Sequence, residues 1–264
     1  ALAEAANRRI ARHRADGREL VGDEGGLRAH ARGCRRGFTA GVASSDLIVQ
    51  TAVAKQVNLV SLSGVDLLFW DGGDAALHNN NAVDGGAGVW DASGVNWTRA
   101  NGTGNGPMRP QPGFAVFQAA PGTVTVDDAA GAVSAAGMQF AADGYRLEGD
   151  AIELAGTDGR SVIRVGDGSA TGAGYTATIA SNLIGTSDLV KNDLGTLILT
   201  GNNSYQGDTQ VLAGALVGDV AAIKGDIANA GTVIFDQAAD ARFDGDVAGS
   251  GGDTGVMVKK GSGV

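Results

Sequence analysis

The 264-residue sequence has little cysteine, proline and aromatic residue, and each shortage excludes a class of protein. Cys34 is the only cysteine, so no intrachain disulfide can form. Four prolines and no Gly-x-y period exclude collagen and proline-rich disorder. No run approaches the roughly 18 apolar residues of a membrane helix. The nearest candidate, residues 46–62, is interrupted by Gln50, Lys55, Gln56 and Asn58.

Positive charge is also scarce outside the first residues. The net charge is −9, but residues 1–36 carry nine arginines against five acids, a balance of +4. The other 228 residues therefore carry −13. An acidic body of this kind repels nucleic acid and anionic membranes, so we expect neither as a partner.

Glycine is abundant, with 44 positions, and the hydrophobic fraction of 43% argues against intrinsic disorder. After residue 121 the apolar residues form runs of four to six that mostly alternate with polar or small residues. Each run ends near Gly, Asp or Asn, and no stretch of ten residues shows a convincing helical period. Typical runs are TVTV (123–126), SVIRVG (161–166), TLILTG (196–201) and GTVIFD (231–236). The pattern predicts an all-β chain.

Two architectures fit many short strands, a sandwich or barrel and a right-handed parallel β-helix. Sandwich cores depend on large side chains from two facing sheets, whereas aromatic residues are sparse after Phe140. A β-helix stacks small aliphatic side chains in columns and needs Gly, Asn or Asp at its corners. The sequence therefore favours a glycine-rich right-handed parallel β-helix of the pectin-lyase-like kind.

The composition divides the chain into three parts. Residues 1–40 are rich in arginine and predict a flexible or weakly helical leader. Residues 41–120 contain all three tryptophans and three of the four prolines, and the fourth, Pro121, follows directly, which predicts irregular N-terminal coils or a cap. Residues 121–264 predict the regular β-helix. The chain begins Ala-Leu-Ala without methionine, so either a leader has been removed or it is a fragment of a longer protein.

One segment recurs within the regular part. LVKNDLGT (189–196) reappears as MVKKGSGV (257–264), 68 residues later. At about 20 to 25 residues per coil, this separation predicts three full coils between the two copies. The second copy is only begun at Val264.

The segment LVKNDLGTLILTGNNSYQGDTQVLAGALVG (189–218) resembles the passenger-associated repeat of bacterial autotransporters, the type V secreted proteins. The matching positions are Lys191, Gly195, Thr196, Leu197, Leu199, Thr200, Gly201, Asn203, Tyr205, Gly207, Thr209, Val211, Gly214 and Leu216. Two positions depart from the pattern of that family. Asp193 replaces a glycine and Ser204 replaces a threonine, although Gly261 restores the family residue in the second copy.

The resemblance implies a fragment of a surface-displayed β-helical stalk, exported to the bacterial cell surface or outer membrane, or secreted. It implies adhesion or self-association, with a host-cell or neighbouring-cell protein or glycan as partner. Membrane contact would be made only through a separate C-terminal barrel. Neither catalysis nor a cofactor is expected.

The repeat also has a physical interpretation. Leu197, Leu199, Val211 and Leu216 are expected to point inward, with Ile198 and Thr200 alternating outward. Three glycines, Gly201, Gly207 and Gly214, are expected to permit corners. Asn202 or Asn203 would join an amide ladder between coils, and Tyr205 would lie over a corner with its hydroxyl in water.

The alternative is a polysaccharide lyase or hydrolase, because such enzymes share the scaffold. The adjacent acids Asp127 and Asp128 are the best catalytic pair, but they also suit a turn that ends a strand. Three arginines, Arg146, Arg160 and Arg164, are expected to be solvated strand charges. The histidines (His13, His30 and His78) lie outside the regular strands.

Two binding hypotheses remain open. Five aspartates in residues 235–253 are expected to be turn residues, and weak calcium binding is the alternative. They are Asp236, Asp240, Asp244, Asp246 and Asp253. No metal site is predicted from any pattern in this chain. A carbohydrate-binding cap carrying Trp70, Trp90 and Trp97 is the third functional hypothesis.

Overall fold

The computed structural model describes the backbone of residues 47–50 and 58–61, together with residues 67–252 and 255–264. The predicted leader, residues 1–40, lies outside this range. The strands are β1 (Leu47–Gln50), β2 (Asn58–Ser61), β3 (Leu67–Trp70), β4 (Gly88–Trp90), β5 (Trp97–Thr98), β6 (Gly113–Phe117), β7 (Thr123–Val126), β8 (Val133–Phe140), β9 (Tyr145–Gly149), β10 (Ile152–Leu154), β11 (Arg160–Val165), β12 (Thr176–Ile179), β13 (Leu183–Gly185), β14 (Asp188–Asn192), β15 (Thr196–Leu199), β16 (Thr209–Val211), β17 (Ala215–Gly218), β18 (Ile227–Asn229), β19 (Thr232–Asp236), β20 (Val247–Gly249) and β21 (Val256–Lys260).

The chain alternates between two parallel sheets, and this alternation defines the coils of a β-helix. The first sheet has the order β5-β3-β6-β8-β11-β14-β16-β18-β20, with β10 and β13 paired beside β8. The second sheet has the order β4-β7-β9-β12-β15-β17-β19-β21. Between the ends of these two orders, each strand pairs with the strand one coil earlier and the strand one coil later. The predicted parallel β-helix is confirmed.

Three exceptions stand outside this pattern. Strand β5 pairs antiparallel with β3 at one end of the first sheet. Strands β1 and β2 form a separate antiparallel pair. Short 3-10 turns occur at Thr157–Gly159 and Thr171–Gly174. In the described part of the chain no helix combines the length and the apolarity needed to cross a membrane.

The core consists of columns of inward side chains that run along the axis. In the second sheet, register places five residues above one another: Ala177, Leu197, Leu216, Val233 and Met257. In the first sheet the matching column is Met138, Ile163, Lys191, Val211 and Asn229. Burying an aliphatic side chain stabilises the fold by roughly 1.5–3 kcal/mol, so each coil adds to the stability of its neighbour.

Aromatic side chains close the N-terminal end. Trp70, Trp90 and Trp97 are fully buried, and their neighbouring rings lie 5.0–5.2 Å apart in edge-to-face contacts. Phe117 packs 5.6 Å from Trp97 and stacks 5.0 Å from Phe140. The hypothesis of a carbohydrate-binding cap built on the tryptophans is therefore wrong, because buried rings offer no face to a sugar.

The parts of the chain before and after residue 121 share the same two sheets. Strands β3, β4 and β6 already belong to the parallel ladders. The strands therefore stay in the same sheets across the predicted boundary near residue 120. The two parts differ in the loops that connect the strands, since residues 71–87 and 99–112 form long loops without strands.

The two copies of the 68-residue repeat lie on different sheets. LVKN (189–192) falls on β14 of the first sheet, whereas MVKK (257–260) falls on β21 of the second. The expectation of a whole number of coils is wrong. Register carries Val190 through Gln210 and Ala228 to Ala248 in three coils, and Val258 lies beyond that point on the other sheet.

Candidate functional site

The repeat residues 189–217 occupy two successive coils, from β14 to β17. Four aliphatic side chains, Leu197, Leu199, Val211 and Leu216, are buried inside the solenoid, as expected. Thr200 is exposed and Ile198 half-buried on the opposite face. The structure also buries four polar members of the motif that have hydrogen-bonding roles described below: Lys191, Asn203, Tyr205 and Thr209.

Lys191 is an inward residue of β14 and has no exposed surface. Its ammonium group donates hydrogen bonds to three backbone carbonyl oxygens at the corner after the strand. The acceptors are Asn192 at 3.0 Å, Asp193 at 2.8 Å and Ala213 at 3.1 Å. An ammonium has three protons to donate, so the three carbonyls satisfy it. Because Ala213 belongs to the following coil, the lysine joins two coils.

Burial sets the protonation behaviour of this lysine. Loss of hydration lowers the pKa of Lys191 from 10.5 to about 7, although the nearby Asp193 carboxylate favours the charged form. The group therefore titrates near neutral pH inside the solenoid. The motif pattern alone indicated no such environment for this lysine.

Asp193 occupies the corner position where the repeat pattern has glycine. Its φ is +68°, in the left-handed region that favours glycine, and its side chain is fully buried. The carboxylate accepts a hydrogen bond of 2.9 Å from the Arg164 guanidinium, one coil earlier. The other oxygen accepts the Leu194 N–H at 2.9 Å. The ion pair gives a physical reason for the departure from glycine.

Arg164 was expected to be a solvated strand charge, and that expectation is wrong. Only 10% of its side chain is exposed, and the Asp193 carboxylate is its ionic partner. The clue in the sequence is indirect. A carboxylate at a left-handed corner inside a solenoid requires a cation nearby, and the preceding coil offers Arg164 at the register position paired with Asn192.

Asn203 links three coils through its buried amide. Its Oδ1 accepts the Leu183 N–H at 2.8 Å, and its Nδ2 donates to the Ala222 carbonyl at 2.6 Å. Both partners are backbone groups of neighbouring coils, rather than the side chains of an amide ladder. The adjacent Asn202 is exposed.

Tyr205 is 3% exposed, so the expectation of a hydroxyl in water is wrong. The hydroxyl lies 2.7 Å from the Thr209 hydroxyl and accepts the Lys224 N–H at 3.0 Å. Burial raises the pKa of Tyr205 above its usual value. Thr209 in turn donates to the Lys224 carbonyl at 2.6 Å, which fixes the loop of the following coil.

The repeat glycines lie at corners where neighbouring backbones approach closely. Gly214 has φ +68°, and a Cβ there would lie 2.5 Å from the Asp193 carbonyl oxygen. At Gly201 and Gly207 a Cβ would lie 2.5 Å from backbone atoms of the preceding coil. The predicted role as corners is confirmed. Gly195, also buried, donates its N–H to the Val165 carbonyl.

The residues considered for catalysis make hydrogen bonds in turns or ion pairs and hydrogen bonds with other surface residues. Asp127 caps its own turn by accepting the Ala129 N–H, and the Asp128 N–H bonds to Asp150. Arg146 pairs with Glu148 on the surface, and Arg160 bonds to Gln210. His78 contacts a backbone carbonyl, while His13 and His30 lie outside the described residues.

The acidic turns do not form a metal cluster within residues 67–252 and 255–264, where no three His, Cys, Asp or Glu side chains converge. Asp244 pairs with Arg242, and the Asp240 carboxylate accepts the Val264 N–H. Asp246 uses its backbone N–H to bond with Asp226. Asp253 lies outside the described residues.

Taken together, the motif residues hold successive coils of a parallel β-helix to one another. They therefore define a structural repeat of a solenoid. Sequence comparison agrees with this class. Residues 189–217 match the family model of the passenger-associated transport repeat. A curated relative, the adhesin BmaC autotransporter of Brucella suis biovar 1 (strain 1330), is 47% identical over 186 residues.

The chain belongs to the autotransporter passenger domains that carry this repeat. The alignment with the Brucella adhesin covers 68% of this chain but only 5% of that protein. The chain thus spans a small part of the relative's length. No solved structure matches the sequence.

Proposed function

We propose that this chain is a segment of a surface-displayed β-helical stalk that acts in adhesion or self-association. As part of an autotransporter passenger it is exported, and its place is the bacterial cell surface or the medium. The observation that carries the proposal is the pair of uninterrupted parallel ladders. Eight strands of the second sheet at ~4.8 Å spacing extend about 34 Å along the axis.

This geometry supports adhesion by giving length and repetition. Stacked coils project polar strand faces at a constant spacing, so many weak contacts can form at once. The ligand would be a protein or glycan on a host cell or a neighbouring bacterium, or a second stalk. The Brucella relative is named as an adhesin, which supports the same assignment.

We propose further that the segment has no enzymatic activity. The support is that the Asp127 carboxylate accepts the Ala129 N–H of its own turn and that Arg164 is paired with the buried Asp193 carboxylate. Incubation with acidic glycans, followed by assays for unsaturated products and reducing ends, tests this part. The enzyme hypothesis would be restored if product formed steadily and an Asp127→Asn variant abolished it.

Adhesion is tested by attaching the chain to beads and measuring their retention on epithelial cells, matrix proteins, glycan arrays and the chain itself. We expect retention that grows more than linearly with bead density, because binding is multivalent. Two variants with the same substitution are compared. Leu197→Asp places a charge in the buried column and breaks the stalk, whereas Thr200→Asp places it on the exposed face and is the matched control. Equal, density-independent retention of all three proteins contradicts the proposal.

A further inference from the structure

The outward side of the second sheet carries no charged residue in its two central rows over four successive strands, β12, β15, β17 and β19. Register aligns the outward side chains of these strands in two rows that run along the axis, and all of them are half-buried. We call these eight residues the uncharged face: the row Thr176, Thr196, Ala215 and Thr232, and the row Thr178, Ile198, Val217 and Ile234.

The surroundings of the uncharged face are charged. Residues 37–264 carry a net charge of −13, and the outward positions of the first sheet include Arg160, Arg164 and Asp188. On the second sheet, the coil before the face presents Arg146 and Glu148, an exposed ion pair with an N–O distance of 2.6 Å. Because the centres of protein interfaces are depleted in charged residues and their rims are polar, this pattern is typical of a contact surface.

The side chains of the face are stiff. Seven of the eight residues are threonine, isoleucine or valine, which are β-branched and have few rotamers to lose when another surface packs on them. The eighth, Ala215, has no rotamers at all. The face therefore loses little side-chain entropy when it is covered.

The size of the face limits the strength of a single contact. Strands lie about 4.8 Å apart and side chains on one side of a strand repeat about every 6.7 Å, so the four strands and two rows cover roughly 250 Å² in projection. A standard stable interface buries about 800 Å² per partner. One face on one partner is thus a weak contact, and several acting together give useful strength.

We propose that the uncharged face binds the same face of a second copy of this chain, with the two solenoids running in opposite directions. This inference rests on the proposed function, because it assigns self-association to one surface of the stalk. A twofold axis runs along the strands, midway between β15 and β17. Strand β12 of one copy then lies over β19 of the other, and β15 lies over β17.

A second copy fits this face because it brings the same spacing. A partner surface packs evenly on the two rows only if its own ridges repeat at the strand spacing, and the same face does so by construction. Elsewhere two copies oppose net negative charge to net negative charge, which disfavours contact. This repulsion is smallest where both surfaces are uncharged.

The antiparallel arrangement also pairs opposite charges beside the face. Register continues the second row to Arg146 on β9 and to Val258 on β21. Glu148 and Lys260 lie two positions further along the same strands, so both belong to one further row. The twofold axis places β9 over β21, and Glu148 of each copy therefore faces Lys260 of the other. Solenoids that run in the same direction keep these two residues five strands apart.

Single cysteines test the arrangement, in a Cys34→Ser background because Cys34 is the only cysteine. Thr176 faces Thr232 of the second copy, whereas the two copies of Thr176 lie three strands, or about 14 Å, apart. We expect a thiol crosslinker that spans about 8 Å to join Thr176→Cys chains to Thr232→Cys chains about tenfold faster than it joins either chain to itself.

A matched pair of charge substitutions tests the surface. Ile198→Glu places a carboxylate in the centre of the face, and Ala228→Glu places the same charge on an outward, half-buried position of the first sheet. Ile198→Glu should slow crosslinking by about tenfold, and Ala228→Glu should change it by less than about twofold. Thr196→Glu is a second variant on the face. Urea unfolding shows which of the three variants are folded.

Salt dependence separates this contact from one made by ion pairs. Salt screens the repulsion between two acidic bodies and leaves an uncharged contact intact. Sedimentation of the 264-residue chain should therefore show self-association that grows as sodium chloride is added.

Three outcomes overturn the proposal: equal crosslinking of the mixed and the single-variant samples, equal crosslinking of folded Ile198→Glu and Ala228→Glu, or self-association that falls steadily as salt is added. Bead retention on epithelial cells, matrix proteins and glycans distinguishes this inference from the proposed function. Retention without face-to-face crosslinking overturns the inference alone. Crosslinking without retention supports the inference, and adhesion to other surfaces fails.

Discussion

At the residue scale, three charged groups at one corner show how a passenger repeat tolerates polar atoms inside its core. Lys191, Asp193 and Arg164 are all nearly or fully buried, and each has a partner. A buried charge destabilises a protein by several kcal/mol unless it is paired and hydrogen-bonded. The corner therefore depends on all three groups being present together.

Lys191→Met should change how stability depends on pH. The folded pKa of Lys191 is about 7 and its unfolded pKa about 10.5, so between these values the unfolded chain holds the proton more readily. The stability of the unaltered chain should rise with pH across this window, by at most ~1.4 kcal/mol per pH unit, and fall towards pH 7. Lys191→Met should lose this rise.

Urea unfolding of the original chain and of Lys191→Met at pH 7, 8.5 and 10 measures the effect. The difference between their free energies of unfolding cancels the contribution of other titrating groups. The matched control is Lys259→Met, because that lysine occupies the same kind of corner but is exposed. Parallel pH profiles for the original protein and Lys191→Met would contradict the buried, shifted lysine.

Asp193→Gly should destabilise the chain although it restores the family residue. Glycine removes the strain of a left-handed backbone, which stabilises the chain by roughly 1–2 kcal/mol. It also leaves Arg164 buried without its partner, which destabilises the chain by roughly 3–5 kcal/mol. We expect a net loss of about 2–3 kcal/mol in chemical denaturation. The double variant Arg164→Met/Asp193→Gly should recover most of it. A single variant more stable than the original protein would refute the compensation.

At the scale of the element, the loop between β15 and β16 acts as a clamp between coils. Asn203 bonds to the backbone of the preceding coil at Leu183 and of the following coil at Ala222. Tyr205 and Thr209 bond to the backbone of Lys224. Backbone hydrogen bonds of the same loop join the same coils, from the Asn203 N–H to the Ala221 carbonyl and from the Ser204 N–H to the Leu183 carbonyl, and the side chains add to these connections.

Asn203→Ala should destabilise the chain by about 2–3 kcal/mol, because two buried backbone groups lose their partners. Asn202→Ala, one residue earlier and exposed, should change stability by less than about 0.5 kcal/mol. Denaturant unfolding gives both values, and hydrogen exchange at the Leu183 amide locates the loss. Equal effects of the two substitutions would argue against the clamp.

At the scale of the whole molecule, the two ends of the solenoid differ. The N-terminal end is covered by β5 and by three buried tryptophans, while Met257 and Val247 remain partly exposed at the other end. In a solenoid each coil is stabilised mainly by its neighbours, so a coil with one neighbour opens more easily than a coil with two.

Native-state hydrogen exchange should therefore show a gradient along the axis. Amides of β20 and β21 should exchange at least tenfold faster than amides of β8 and β11, which have coils on both sides. Ligation of an unrelated flexible tail should not alter the gradient. Uniform protection from β8 to β21 would mean that the molecule opens as one unit.

The sequence by itself determined the solenoid and the class of protein. Alternating short runs of Val, Leu and Ile with glycine corners suit a parallel β-helix, and the spacing of Leu197, Leu199, Val211 and Leu216 identifies the inward face. The same spacing carried the resemblance to autotransporter passengers. These features are local, because strand period and corner geometry depend on residues close in the chain.

Only the tertiary structure decided which polar groups are buried and what they contact. Lys191 and Arg164 are of residue types that usually lie on the surface. Their roles depend on a carbonyl and a carboxylate that neighbouring coils bring near. Stacking register also placed the two LVKN-like segments on different sheets, since the coil lengths vary along the chain. Sequence spacing cannot supply register, because variable loops between strands change the number of residues in each coil without moving the strands.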